Sequence, residues 1–237
     1  MTSHKLYSPT PDRDAALAQY RSRAGIYDLE LTPFEPVRRL AIQRLDLRPG
    51  ETVLDVGCGT GLSLQALAEG VGARGRVIGI EQCPEMIEQA QARVHGHGWP
   101  QVTLLNAPVE DAAITVRAHA ALFHFTHDIL RHAPAVARVF AHLRPGARVV
   151  AAGLKWAGPW SWAVNGFVLG AALHSVTALD GLSEPWSELA DRLDDFTVQP
   201  ALFGGGYVAS GVVKGPPARL GSTPEPIRLR RAKTPHF

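Results

Sequence analysis

Apolar positions along this chain switch between two periods. Short apolar runs alternate with longer stretches in which apolar residues recur every three or four positions. The first pattern predicts strands and the second helices. From Asp14, the residues Leu17, Tyr20, Ala24 and Tyr27 fall at helical spacing until Pro33 and Pro36 interrupt them. Helical spacing resumes over residues 37–45 with Val37, Leu40, Ala41 and Leu45, and Arg48-Pro49-Gly50 turns the chain into a strand at Thr52. A helix follows to about residue 69, ended by Gly70 and Gly72, and residues 76–80 form the second strand. Pro84 then opens a helix with Met86, Ile87, Ala90 and Val94 facing inward. The third strand is expected at residues 102–105, the fourth at 118–125 and the fifth at 148–152. A short helical stretch opens at Thr126-His127-Asp128, and a longer one covers 134–143 before the turn Arg144-Pro145-Gly146. Residues 185–193 read as a helix, and 196–202 and 207–213 as two strands joined through Gly204-Gly205-Gly206. Regular alternation of strand and helix predicts βαβ units and a parallel sheet, with an antiparallel hairpin at its edge. In such sheets ligands sit outside the carboxyl ends of the strands.

The chemistry concentrates after the first strand. Val53, Leu54 and Val56 lead into glycines at Gly57, Gly59 and Gly61, followed by the apolar helical positions Leu62, Leu64 and Leu67. A strand that turns through close-set glycines into a helix lets a ligand approach backbone N–H groups. The spacing G-x-G-x-G differs from the dinucleotide fingerprint. Glu81, at the end of the second strand, lies twenty residues beyond Gly61. An acid there can accept two hydrogen bonds from a ribose diol.

Composition narrows the partners. The 237 residues are 46% hydrophobic, enough for a sizeable core. From Lys214 onward six Lys or Arg face one acid, a balance of +5, which leaves the body at −3 out of a total of +2. The body therefore lacks the basic surface that grips nucleic acid. The Pro-rich basic tail is expected to be disordered, as are the polar residues 1–13. Two cysteines, Cys58 and Cys83, and a start without an apolar signal segment are read as a cytoplasmic protein with no disulfide framework. Residues 156–179 carry no Asp, Glu, Lys or Arg. They are long enough for a membrane span, but Pro159, Asn165, His174 and several glycines weigh against one, and no stable membrane insertion is expected. A membrane-surface helix and a buried lid over a substrate pocket both remain, with the lid the preferred reading.

The run Val53-Leu-Asp-Val-Gly-Cys-Gly-Thr-Gly61, with Gly79-Ile-Glu81 and Leu143-Arg-Pro-Gly146, resembles the class I S-adenosylmethionine-dependent methyltransferases, and among them the small-molecule group of quinone and natural-product enzymes. The resemblance implies a Rossmann-like, seven-stranded, mainly parallel sheet with an antiparallel last strand, helices on both faces and an N-terminal helical lid. It divides the chain into lid segments over 1–45, a donor-binding domain over 46–213 with a lid insertion at 156–182, and the tail from 214. It implies S-adenosylmethionine as cofactor. Asp55, Gly57, Gly59 and Gly61 would cradle its methionine end, with Asp55 near the ammonium. Glu81 would hold the ribose, Gln82 and Met86 the adenine, and Val109 or Glu110 the adenine edge. Pro108 stands where the family often has Asp, so Asn106 or Glu110 is left to meet the adenine amine. The family also favours Asp where His119 stands. Phe123 and Phe125 would pass the methionine end, and Tyr20 and Tyr27 resemble lid aromatics.

Methyl transfer from a sulfonium needs contact and exclusion of water more than added activation, so no metal is expected. A general base helps when the acceptor is a hydroxyl or a protonated amine. Three histidines are candidates: His127 at the end of the fourth strand, His124 within it, and His174 inside the uncharged stretch. Asp128 is either an N-cap or their partner. Trp160, Trp162 and Phe167 are natural walls for a flat or apolar acceptor. The expected enzyme methylates oxygen or nitrogen of a small, partly apolar molecule. The alternatives are a membrane-associated enzyme acting on a quinone-like or lipid acceptor, and a non-catalytic donor-binding regulator. Monomer and homodimer are both left open.

Overall fold

Five parallel strands form the centre of the molecule: β1 (Thr52–Val56), β2 (Arg76–Glu81), β3 (Val102–Asn106), β4 (Ala118–His124) and β5 (Leu143–Leu154). The structure is a computed structural model and describes residues 27–175, 179 and 181–215. With β6 (Leu193–Ala201) and β7 (Gly206–Val213) they make one seven-stranded sheet in the order β3-β2-β1-β4-β5-β7-β6. The last strand inserts between β5 and β6, antiparallel to both. The central strands are mostly apolar because both sheet faces are covered.

One face carries α2 (Glu35–Arg44), α3 (Leu64–Val71) and α4 (Pro84–His97). Val37, Ala41, Leu64, Leu67 and Ala90 pack there on Val53, Val77, Ala120, Leu122 and Val150. The other face carries α6 (Ala133–Ala141) and α8 (Ser187–Ala190). Ala135, Val136, Val139 and Leu189 meet Leu54, Val56, Ile78, Ala121 and Phe123 there. Each fully buried Leu, Val or Phe contributes about 1.5–3 kcal/mol. A third cluster of Phe34, Leu154, Val168, Ala172 and Leu182 lies past the carboxyl end of β5, under α7 (Trp162–Ser175). The short helices α1 (Tyr27–Leu31) and α5 (His127–Leu130) complete the described set. Strand order reverses between β1 and β4, the position at which sheets of this kind bind ligands.

Three boundaries differ from expectation by three residues or more. β5 begins at Leu143 rather than after the Arg-Pro-Gly turn, because Leu143 already pairs with Ala118 before the register shifts. β6 begins at Leu193 rather than 196. A register break between Asp194 and Thr197, with Asp195 at φ +50°, hides its first residues from a strict alternation. The helix expected over 185–193 shrinks to Ser187–Ala190, and Trp186 instead sets its ring edge-on against Tyr207 at 4.8 Å.

Candidate functional site

The glycine turn follows β1 directly. Gly57 has φ +71°, and a Cβ there would lie 2.6 Å from Thr126 Cγ2 and 2.8 Å from Ile129 Cδ1. Gly61 has φ +84°, and a Cβ there would lie 2.6 Å from Leu64 Cδ1 and 3.2 Å from Ala90. Both positions thus exclude side chains by conformation and by space, which keeps the backbone bare towards the sheet's carboxyl edge. Gly59, also at positive φ, donates its N–H to Glu81 Oε2 at 3.1 Å, and Cys83 N–H donates to Glu81 Oε1 at 2.7 Å. Burial pushes the Glu81 carboxyl up while these N–H groups pull it back. A carboxylate fixed from two sides keeps its remaining lone pairs for a ligand.

Asp55 is 2% exposed, and its Oδ2 is buried without a hydrogen-bond partner. Burial raises its carboxyl to about 7, against the opposing pull of Arg38. Beside the turn, Gln82 is half-buried and Met86 buried. Val109 lies in the core with its side chain packed. Glu110 faces His132 at 3.6 Å, and the Asn106 amide donates to the Glu81 carbonyl at 2.9 Å. That bond uses the Asn106 N–H, and an adenine amine, itself a donor, would need the amide oxygen. The Cys58 thiol is buried and its pKa pushed up, and its sulfur packs over Gly79. His119, where the family favours an acid, accepts the Thr52 N–H at Nδ1, 3.0 Å away, and so ties β4 to β1.

The N-terminal elements are fastened to this turn. The Thr60 hydroxyl donates to Asp28 Oδ1 at 2.5 Å, and Arg93 Nη2 lies 2.6 Å from Asp28 Oδ2. Arg93 Nε also donates to the Thr60 carbonyl at 3.2 Å. Tyr27 starts α1, but its side chain lies outside the described set, as does all of Tyr20. One turn of α2 further on, Arg38 pairs with Glu35 through Nη2 and leaves Nη1 buried without a partner. None of Asp28, Arg38, Thr60 or Arg93 stands out in the sequence. They come from helices or turns whose mutual approach no local pattern records.

The carboxyl end of β4 supplies the second half of the site. Phe123 is wholly buried in the core on the α6 face. His124 is held neutral, its pKa driven down to about 3 by burial with Arg38 adding, and its Nε2 has no partner. Phe125 adopts φ +56°, costly for a bulky residue. That kink turns the chain so that Thr126 presses on Gly57 and His127 becomes the first residue of α5. Thr126, not Asp128, is the N-cap. A narrow recess of about 10 Å³ is lined by Phe125, Thr126, His127, Ala152, Gly153, Leu154, Leu182 and Tyr207. Phe34 stacks obliquely on Phe125 at 4.8 Å.

The uncharged stretch does not wall this recess with tryptophan. Trp160 is 94% exposed and Trp162 82%, whereas Val168 and Ala172 turn inward. Only small side chains fit where α7 meets Gly205, so the large ones point out. Phe167 is half-exposed, 6.0 Å from Phe34. His174 falls in α7, but its side chain lies outside the described set. Among the described residues, no group of His, Cys, Asp and Glu is placed to hold a metal, and no helix is long and apolar enough to cross a membrane.

Residues 53–146 match a family model described as a methyltransferase domain. A nocamycin O-methyltransferase of Saccharothrix syringae is 34% identical over 65% of this chain and 56% of its own length. Other curated relatives are matched over smaller shares, so the chain spans about half their length or less. An O-methyltransferase family protein of Burkholderia thailandensis has the same fold, with a TM-score of 0.66 at 14% identity over 86% of this chain and 63% of that one. So does the N-methyltransferase NodS of Bradyrhizobium japonicum with S-adenosyl-L-homocysteine, with a TM-score of 0.57 at 16% identity over 78% and 90%. Residues 53–146 are therefore similar to a methyltransferase domain, and the sheet that carries them has the fold of solved methyltransferases.

Proposed function

We propose that this chain, built on a class I methyltransferase domain, transfers a methyl group from S-adenosylmethionine to an oxygen of a small, partly apolar molecule. The observation that carries the reading is a shared wall. Thr126 lines the apolar recess and also packs against the glycine turn. A donor on the turn and an acceptor in the recess would therefore meet across one residue. The chain's polar groups fit the donor: Asp55 offers an unpartnered carboxylate oxygen, Glu81 a carboxylate held by two N–H groups, and Gly57 and Gly61 a bare backbone. When bound, S-adenosylmethionine supplies an electrophilic methyl group.

The protein's own part is to align the two molecules and keep water out. Phe125, Leu154 and Leu182 supply the dry surface. His127, 8% exposed and lining the recess, takes the proton that an acceptor hydroxyl gives up. Tyr207, buried with its hydroxyl pKa pushed up by desolvation, stays protonated and can orient a polar atom of the acceptor. Oxygen is preferred over nitrogen because one relative carries that activity in its name.

A second reading has its own observation. Trp160, Trp162, Phe167 and Phe203 are exposed together with Leu169, a set suited to a membrane-surface enzyme with a quinone-like or lipid acceptor. Calorimetry with S-adenosylhomocysteine, followed by a screen of phenols, enols and carboxylic acids for methyl uptake, tests the first reading. Binding without turnover on any acceptor favours a donor-binding regulator. Flotation with liposomes, accompanied by turnover only on vesicle-borne acceptors, favours the second.

A further inference from the structure

Thr126 carries a hydroxyl that the fold does not use. The residue is 9% exposed, and its Oγ1 is shut off from solvent with no hydrogen-bond partner among the described residues. An N-cap threonine ordinarily turns its hydroxyl to the open N–H groups of the first helical turn. Here Thr126 is the N-cap of α5 and its carbonyl takes the Leu130 N–H at 3.0 Å, but its side chain caps nothing. Its place is nonetheless fixed. The Phe125 N–H donates to the Ala152 carbonyl at 2.8 Å, which pins the left-handed kink to β5, and Thr126 Cγ2 packs against Gly57. Methyl group and backbone thus hold the residue, while the hydroxyl stays idle in the wall between the glycine turn and the recess.

A buried hydroxyl without a partner is unfavourable, and valine has the same shape without that penalty. A ligand that brings the missing partner offsets it. The recess beside Thr126 has room for about one water-sized atom, so the part of an acceptor that fits is its reacting atom. An acceptor hydroxyl oxygen carries a proton and two lone pairs. In the transfer the proton goes to His127. One lone pair forms the bond to the methyl carbon, while the pair of the broken carbon–sulfur bond goes to sulfur. The second lone pair is left over. We propose that the Thr126 hydroxyl donates to that second pair, so that Thr126 and His127, consecutive in the chain, hold the acceptor oxygen from two sides. The assignment rests on the methyltransferase reading, and it makes Thr126 an acceptor-binding residue as well as a wall.

The test uses the full chain and two variants that separate hydroxyl from methyl. Thr126→Val keeps the methyl against Gly57 and removes the hydroxyl, and Thr126→Ser does the opposite. Without ligand, Thr126→Val should melt at the wild-type temperature or above it, because an unpaired buried hydroxyl is gone, and Thr126→Ser should melt below it. Both should bind S-adenosylhomocysteine as the wild type does by calorimetry. Turnover with S-adenosylmethionine is read on phenol, acetylacetone and benzoic acid. On those that the wild type methylates, Thr126→Val should lose about tenfold in kcat/KM and Thr126→Ser less than about threefold. A Thr126→Val no more impaired than Thr126→Ser assigns the residue to packing and overturns the proposal, as does a Thr126→Val that melts lower or binds S-adenosylhomocysteine more weakly. A wild type that binds S-adenosylhomocysteine but methylates none of the three favours the regulator and removes the proposal. A folded wild type that does not bind S-adenosylhomocysteine refutes the methyltransferase reading itself, and the proposal with it.

Discussion

The proposed donor half and the proposed acceptor half of the site are built in opposite ways. The donor half is polar, contiguous in sequence and set by backbone: Asp55, Gly57, Gly59 and Gly61 lie within seven residues, and Glu81 closes it through hydrogen bonds to Gly59 and Cys83. The acceptor half is apolar and assembled from distant pieces, Phe34, Phe125, Leu154, Leu182 and Tyr207, with few polar tips. The difference teaches that a fixed ligand is met by oriented groups, which tolerate little change. A variable one is met by shape, which many side chains can supply. Phe125 and Thr126 join the halves, at the one point where β4 turns through a left-handed residue.

The largest expected effect falls in the acceptor half, beside the joint. His127→Ala should lower turnover about 10²- to 10⁴-fold and leave S-adenosylhomocysteine affinity unchanged. Weakened donor binding would erase the division between halves. Asp55→Ala should weaken the donor on the order of a hundredfold by calorimetry, and wild-type affinity would remove Asp55 from the donor half.

The raised carboxyl of Asp55 adds a pH signature. Only its ionised form accepts from an ammonium, so donor affinity should fall as pH drops through about 7. Its folded pKa lies above its unfolded one. The stabilising share is therefore full below about 4 and lost as pH rises through about 7. Thermal melts of Asp55→Asn should lack that downward slope.

Gly57→Ala should destabilise by about 1–3 kcal/mol, because its Cβ would strike Thr126 and Ile129 at a positive φ. An unchanged melting temperature would show that the joint yields. The smallest effect is expected from Trp160→Ser with Trp162→Ser, which should alter neither donor affinity nor turnover on a dissolved acceptor. Loss of vesicle flotation in that double variant would instead give those rings to a membrane surface.

Much of the fold was legible in the sequence because each element's pattern is local. The strands of β1 to β4, the glycine turn, Pro84 at the start of α4 and the final hairpin follow from periodicity and from residues with special conformations. Where pattern and structure part, the cause is specific. The bulge at Asp195 broke the alternation that marks β6. The uncharged stretch reads as a lid with Trp160, Trp162 and Phe167 as pocket walls, whereas the side of α7 that faces Gly205 is taken by Val164 and Val168, and both tryptophans are exposed. Of the candidate histidines, His124 and His127 differ by three residues in sequence. The φ of Phe125 separates them, leaving one on the α2 face beside Arg38 and the other on the recess.

By itself the sequence indicated a donor, through the resemblance that its glycine run and Glu81 carry. A backbone that must take left-handed conformations leaves glycines, and a carboxylate that must stand at a strand's end leaves an acid at a fixed distance. Only the tertiary structure decided what surrounds that donor. Arg38 comes to Asp55, Asp28 to Thr60, and Tyr207 to His127 across separations that no periodicity spans. Those meetings arise from helices packing on a sheet. Such packing is driven by apolar area, which carries no record of which polar groups it will bring face to face.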